Sequence, residues 1–196
     1  MTEEGIVAEG QPIGARIFAP PDPPLGVGSI RLRLPAARDE DAIFAACQDP
    51  DIQRWAATPV PYRREHAQGW IEGAVPEWAE ARHGALAIAD ATDDRFLGAI
   101  GLSPREPHRV EIGFWMVPAE RGRGIVTEAT RLVGRWALRD LGFHRLELLH
   151  LIGNEGSRRV AEKVGFRHEG TLRAYAVVRG EPRDVVMWSL LASDLR

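Results

Sequence analysis

The chain has 196 residues, of which 44% are hydrophobic and 27% charged, with a formal net charge of −3. These proportions suit one globular domain and exclude wholesale disorder, collagen-like repeats and a coiled coil, and the slight negative balance gives no global field for DNA or RNA. Cys47 is the only cysteine, no apolar run reaches the ~20 residues that span a bilayer, and Met1 to Gly10 carries three glutamates and no Lys or Arg. A disulfide, a Cys-rich zinc site, a membrane span and a secretory signal are therefore not expected, and the chain reads as a reduced cytoplasmic protein.

In chain order, residues 1–29 read as a flexible Pro/Gly-rich arm, because Pro12, Pro20, Pro21, Pro23 and Pro24 alternate with glycines. A short strand around Ala15 to Phe18 is the alternative. The domain proper is expected over 30–196. Ile30, Leu32 and Leu34 alternate with Arg31 and Arg33, a half-buried strand. Asp39 to Gln48 reads as a short helix that buries Ile43, Phe44 and Cys47. A Pro-broken loop from Trp55 to Tyr62 leads to a helix over about Arg64 to Ala81. Ala85 to Ala89 and Phe96 to Leu102 read as strands joined by an Asp93-Asp94 turn, and Val110 to Val117 as a strand ended by Pro118.

The strongest periodicity follows. From Ile125 to Leu141 the apolar residues Ile125, Val126, Ala129, Leu132, Val133, Trp136, Ala137 and Leu141 form one stripe, with Arg131, Arg135 and Arg139 opposite and Gly142 as the stop. Arg145 to Leu151 is a further strand and Asn154 to Val164 a further helix. Two strands, roughly Arg167 to Val178 and Arg183 to Leu191, flank an Arg179-Gly180 turn. The pattern implies a mixed α/β sheet with one strand–helix–strand crossover between Val110 and Leu151.

Chemistry concentrates in Val117-Pro-Ala-Glu-Arg121-Gly122-Arg123-Gly124-Ile125-Val126-Thr127. Glycines between a strand and a helix let several N–H groups converge, and the positive end of the helix dipole adds to them. That makes a phosphate or pyrophosphate site, to which Arg121 and Arg123 can add charge-assisted bonds. A Walker A loop fails for want of Lys-Ser/Thr after the second glycine. A dinucleotide fingerprint fails at Thr127, and a disordered RGG element fails because the motif runs straight into a helix. A plain glycine turn with surface arginines remains open on this motif alone.

The motif resembles the Arg/Gln-x-x-Gly-x-Gly/Ala signature of the GNAT superfamily of acyl-CoA-dependent N-acetyltransferases, departing only at Val126. Val110 to Val117 and Asn154-Glu-Gly-Ser157 through Gly165-Phe166 are similar to that family in order and spacing, and the resemblance spans about Ile30 to Arg196. Within it, the Trp55…Pro59-x-Pro61-Tyr62 loop and the Gly180-Glu-Pro-Arg-Asp184 turn look most like the branch that acetylates α-amino groups of ribosomal proteins. The resemblance implies a mixed, mostly antiparallel sheet flanked by helices, with a central splay between two parallel strands that holds acetyl-CoA as co-substrate and needs no metal.

It implies cofactor contacts from backbone groups at Trp115, Met116 and Val117, from the loop Arg121, Gly122, Arg123, Gly124, Ile125, Val126 and Thr127, and from Asn154. Glu111 is the candidate for taking a proton from the amine, and a backbone N–H at Trp115 or Met116 for the oxyanion. Many family members carry a tyrosine acid where Ala161 stands and others a downstream glutamate base where Ala176 stands; Ser157 is the acid that the ribosomal-protein branch implies. Tyr175, His168 and water are stand-ins for the base, and Trp55, Tyr62 and Tyr175 candidates for the acceptor pocket; Trp70 and Trp78 can join them, although tryptophan at helical spacing is more often core.

Each residue also has a plainer role. Glu111 can pair with Arg109 or line a wet cleft, Ser157 can bond helix backbone, Asn154 can cap the helix, and Cys47 belongs to a core. The six histidines show no metal spacing. The expected function is acetyl transfer from acetyl-CoA to a primary amine, either a protein N-terminus or a small amine (polyamine, aminoglycoside or amino-acid derivative). A non-catalytic CoA-binding module and nucleic-acid binding through Arg121, Arg123, Arg158 and Arg159 are the competitors. No nucleic-acid or membrane partner is expected, and a homodimer is left open.

Overall fold

The computed structural model describes residues 18–195. Strands β1 (Leu25–Val27) and β2 (Ile30–Arg33) precede helices α1 (Glu40–Ala46), α2 (Pro50–Trp55) and α3 (Arg64–Ala79). Then come β3 (Gly84–Asp90), β4 (Phe96–Glu106), β5 (Arg109–Met116), α4 (Ile125–Arg139), β6 (Arg145–Leu151), α5 (Glu155–Val164), β7 (Arg167–Val178) and β8 (Glu181–Leu191). The strands form one sheet in the order β1-β2-β3-β4-β5-β6-β8-β7, and only β5 and β6 run parallel. That parallel pair is joined through α4, as a strand–helix–strand crossover requires.

Covering both faces of the sheet's centre explains the sequence of β3, where Gly84 to Ala89 are all buried. Leu86 and Ile88 join the core under α4, with Ala129, Val133 and Ala137 from that helix. On the other face Ala87, Ala99 and Phe96 pack against Ile43, Cys47 and Ala67 of the α1–α3 layer. Cys47 is thus a core residue, and burial pushes its thiol up to about 11, too high for a nucleophile at neutral pH.

Two features differ from the sequence reading. The six-residue helix α2 fills the stretch between Gln48 and Trp55 to which the sequence reading assigns no element; Asp49 caps it, its Oδ1 accepting from the Ile52 N–H at 3.0 Å, and Pro50 opens it where no donor is needed. The expected boundary at residue 30 falls inside a β1–β2 hairpin with Val27 opposite Ile30, and Phe18 stacks on Trp78 with ring centroids 4.5 Å apart. The expectation for 1–17, the strand start at Ala15 included, lies outside the described residues.

The β3–β4 turn carries an ionic knot. Asp94, with φ 61°, accepts from Arg31 at 2.5 Å and from Arg33 Nε at 2.8 Å, and also pairs with Arg38. Burial pushes the Asp94 carboxyl up, but the arginines outweigh it and hold it at about 2. A carboxyl lowered on folding stabilises above its unfolded value, and that contribution is lost as pH falls through the folded value. Acid unfolding of Asp94→Asn is therefore expected to lack part of the wild-type slope between about pH 4 and 2, with a neutral-pH loss of about 1–2 kcal/mol after discounting solvent screening. Urea titrations at stepped pH check this; parallel wild-type and variant curves would contradict it.

Candidate active site

β5 and β6 stay paired only from Arg109↔Arg145 to Ile112↔Leu148, although β5 follows β4 to Met116 and β6 follows β8 to Leu151. Beyond Ile112 the two strands part. A cavity of about 1040 Å³ opens there, bounded by β4, β5, the start of α4, the end of β6, the start of α5, β7 and the chain after α2.

The parting leaves one edge of β5 without a ladder. The Val117 N–H donates to the Leu97 carbonyl at 2.9 Å, so strand alternation turns the polar backbone groups of Val117, Trp115 and Gly113 toward β4. Those of Met116 and Phe114 consequently face the gap. Expected donors at Trp115 and Val117 are thereby corrected: their amides serve the sheet. Phe114 was missed, although counting by twos from Met116 finds it.

The glycine loop stands at the mouth. Gly122 and Gly124 have φ of 77° and 80°, and a Cβ at either would meet nothing within 4 Å. Conformation, not crowding, demands glycine here. Gly124 precedes α4 without a side-chain cap, so the first-turn N–H groups of Ile125, Val126 and Thr127 have no intrahelical acceptor. Arg121, Gly122, Gly124, Ile125, Val126 and Thr127 all border the cavity.

The arginines are differently employed than expected. Arg121 bonds Asp49 Oδ1 at 2.7 Å and reaches Asp51 at 3.5 Å, tying the loop to the start of α2. Burial raises the Asp49 carboxyl, but the Arg121 bond and the Ile52 N–H lower it below its ordinary value. Arg123 pairs with the buried Glu120, which also binds Arg95 at 2.6 Å, and Arg123 does not border the cavity.

Opposite the loop, Asn154 caps α5, its Oδ1 accepting from the Ser157 N–H at 3.1 Å. The carboxamide NH₂ is then the group left to donate to a ligand. Asn154 and Ser157 both border the cavity, so capping and binding are compatible. Ala161 is fully buried and Ala176 borders the cavity without a polar side-chain atom to offer.

The floor is built on β4 and β5. Glu111 sits there, with Oε2 accepting from Arg105 at 2.9 Å and 2.8 Å; the partner is Arg105, and Arg109 instead serves Glu106 and Glu147. Gly101 lies opposite Gly113 and Ser103 opposite Glu111. The His83 ring covers Gly101, where a Cβ would lie 2.6 Å from its Cε1. His83 Nδ1 is 2.8 Å from the Ser103 hydroxyl. No local pattern marked His83, because its place depends on β4 and β5.

The aromatics expected at an acceptor pocket divide. Trp55, Trp70 and Tyr175 border the cavity, and the Arg54 guanidinium stacks on Trp55 at 4.4 Å. Tyr62 does not: it is buried with Ile43 and Cys47, 5.4 Å from the His66 ring. Trp78 is also core, its Nε1 donating to the Ala85 carbonyl. His168 faces Trp188 outside this cavity. Trp188 Nε1 donates to His150 Nε2 at 3.1 Å, and His150 Nδ1 lies 2.9 Å from the Leu151 carbonyl, so both ring nitrogens are engaged away from the cavity's floor. Among the described residues no His/Cys/Asp/Glu group is arranged for a metal, and no helix is long and apolar enough to cross a membrane.

Residues 29–167 match the family model for the acetyltransferase (GNAT) domain. YdaF of Bacillus subtilis (strain 168), provisionally named a ribosomal N-acetyltransferase, is 32% identical over 132 residues, 65% of this chain and 72% of its own. The crystal structure of a GCN5-related N-acetyltransferase from Brucella melitensis superposes with a TM-score of 0.74 at 29% identity, over 87% of this chain and 79% of that one. RimL, a ribosomal L7/L12 alpha-N-protein acetyltransferase solved in complex with coenzyme A, shares the fold: TM-score 0.76 at 18% identity, over 86% and 97% of the two chains.

Proposed function

The chain belongs to the GNAT acetyltransferase family, and from that premise we propose that it transfers acetyl from acetyl-CoA to a primary amine, with a protein α-amino terminus as the acceptor class. The observation that carries this reading is the parting of β5 from β6 directly above the uncapped start of α4. The provisional name of YdaF and the α-amino acetylation for which RimL is named favour a protein N-terminus over a small amine.

The residues present suit acetyl-CoA. The glycine loop and the first turn of α4 gather N–H donors where a diphosphate needs them. The free edge at Phe114 and Met116 offers a donor and acceptors to the pantetheine amides, and the Asn154 NH₂ offers another donor. Bound there, acetyl-CoA supplies a reactive thioester.

The chain's own groups then divide the work. The Met116 N–H, fixed by the sheet and needing no reorganisation, holds the developing oxyanion. Glu111 draws the ammonium form of the amine to the floor by its opposite charge. The Ser157 hydroxyl donates to the departing thiolate. Attack is direct, within a complex of both substrates.

Thiol release from acetyl-CoA, followed with peptides of varied N-termini, spermidine, an aminoglycoside and amino-acid amides, tests the reading. Glu111→Gln is expected to lower kcat/KM about 100-fold by removing the charge that draws the ammonium, and Ser157→Ala about 10-fold by removing a proton donor, with CoA affinity by calorimetry unchanged in both. CoA binding without turnover on any amine would instead favour a non-catalytic module.

A further inference from the structure

Glu111 enters the floor with one carboxylate oxygen already holding two Arg105 N–H groups. A second proton acceptor stands beside it. Gly101 and Gly113 are direct cross-strand partners, so their missing side chains leave a shared hollow on one face of the sheet. The His83 ring fills the Gly101 half, with Nε2 2.8 Å and Cε1 2.6 Å from the position a Cβ would take. The Gly113 half is open, for a Cβ there would meet nothing within 4 Å, and both halves belong to the cavity. The hollow lies where β5 leaves β6, in the cavity that Trp70 and Tyr175 also border.

We infer that the acceptor amine lodges above Gly113 and that His83 Nε2 removes its proton. The inference rests on the proposed amine acetylation and names the group that serves it. In the required tautomer Nδ1–H donates to the Ser103 hydroxyl oxygen at 2.8 Å, leaving the Nε2 lone pair facing the hollow. One proton passes from R–NH₃⁺ to Nε2 and then to solvent. The free amine's lone pair forms the new C–N bond, the C–S electron pair leaves with sulfur, and the nitrogen's second surplus proton ends on the thiol. The sum is an amide, free CoA thiol and one proton.

Three charged groups face His83: Glu77 from α3, Arg105 from β4 and Glu111 from β5. Burial lowers the imidazole below its ordinary value, Glu77 and Glu111 oppose that shift, and Arg105 adds to it. The net shift favours the neutral ring, the form able to accept a proton. Ser103 is a positioning residue that fixes the tautomer.

Two measurements test this. In the full chain saturated with CoA, long-range proton–nitrogen NMR of the His83 ring is expected to show a neutral imidazole at pH 7 with its proton on Nδ1. A proton on Nε2, or a charged ring, overturns the inference whatever the activity. In the thiol-release assay His83→Gln is expected to lose about 100-fold in kcat/KM near pH 6.5, with the deficit closing as pH rises past the amine's own pKa, since a deprotonated amine needs no base. Ser103→Ala is expected to lose a few-fold with the same closing. A His83→Gln deficit constant with pH, or none, overturns the assignment while leaving the acetyltransferase reading intact. Wild-type protein that acetylates no amine of the panel overturns that reading itself, and the NMR result still decides the state of His83.

Discussion

Alanine at both Gly122 and Gly124 is expected to weaken CoA binding by about 30-fold or more while leaving the fold intact. Each residue holds a left-handed φ near 80° that costs a residue with a Cβ about 1–2 kcal/mol. Two such costs make about 2–4 kcal/mol, and 1.4 kcal/mol is tenfold in affinity. The loop is exposed and nothing packs on either glycine, so alanine lets it leave this conformation and scatters the N–H groups above α4. The penalty then falls on the bound state, which needs them together. Calorimetry with CoA and with pantetheine separates the cause: pantetheine lacks the diphosphate and is expected to bind both proteins alike. Equal losses for the two ligands would place the effect elsewhere.

Trp78→Ala is expected to remove about 3–5 kcal/mol of folding stability, a large part of the usual 5–15 kcal/mol. Trp78 is 1% exposed and touches three parts of the chain at once. It stacks with Phe18, meets Trp136 edge-on at 6.0 Å and lies over Gly84, where a Cβ would sit 2.5 Å from its ring. Its Nε1 also donates to the Ala85 carbonyl, so truncation strands a buried acceptor as well as leaving a cavity. Trp78 further anchors the turn in which the His83 N–H reaches the Glu77 carbonyl, and losing it disturbs the floor. Urea unfolding measures the loss; a value below about 1 kcal/mol would contradict this picture of the core.

Local chemistry made much of this legible from sequence. The stripe from Ile125 to Leu141 places α4, because an apolar face that must be buried leaves a period. Asn154 and Gly165 bound α5, a cap and a left-handed stop. Gly122 and Gly124 mark the left-handed turn that leads into the uncapped start of α4. What stayed hidden depends on other strands. The helix α2 is six residues long, too short for a period to show, and only Asp49-Pro50 betrayed it. Tyr62 reads as a pocket aromatic because nothing local distinguishes a ring facing a cleft from one facing a core, whereas the helical spacing of Trp78 already leans toward the core it occupies. Arg121 and Arg123 looked free for phosphate until Asp49 and Glu120 came beside them. His83 and the open half-hollow at Gly113 exist only through the register that sets Gly101 against Gly113.

The measurement that tests the central claim most directly is the amide NMR spectrum of the full chain titrated with acetyl-CoA. Large shifts are expected to gather at Phe114, Met116, Gly122 to Thr127 and Asn154, with the Trp115 and Val117 amides moving less because they serve the sheet. Shifts gathered away from the parted strands, or a glycine loop that does not respond, would contradict the claim.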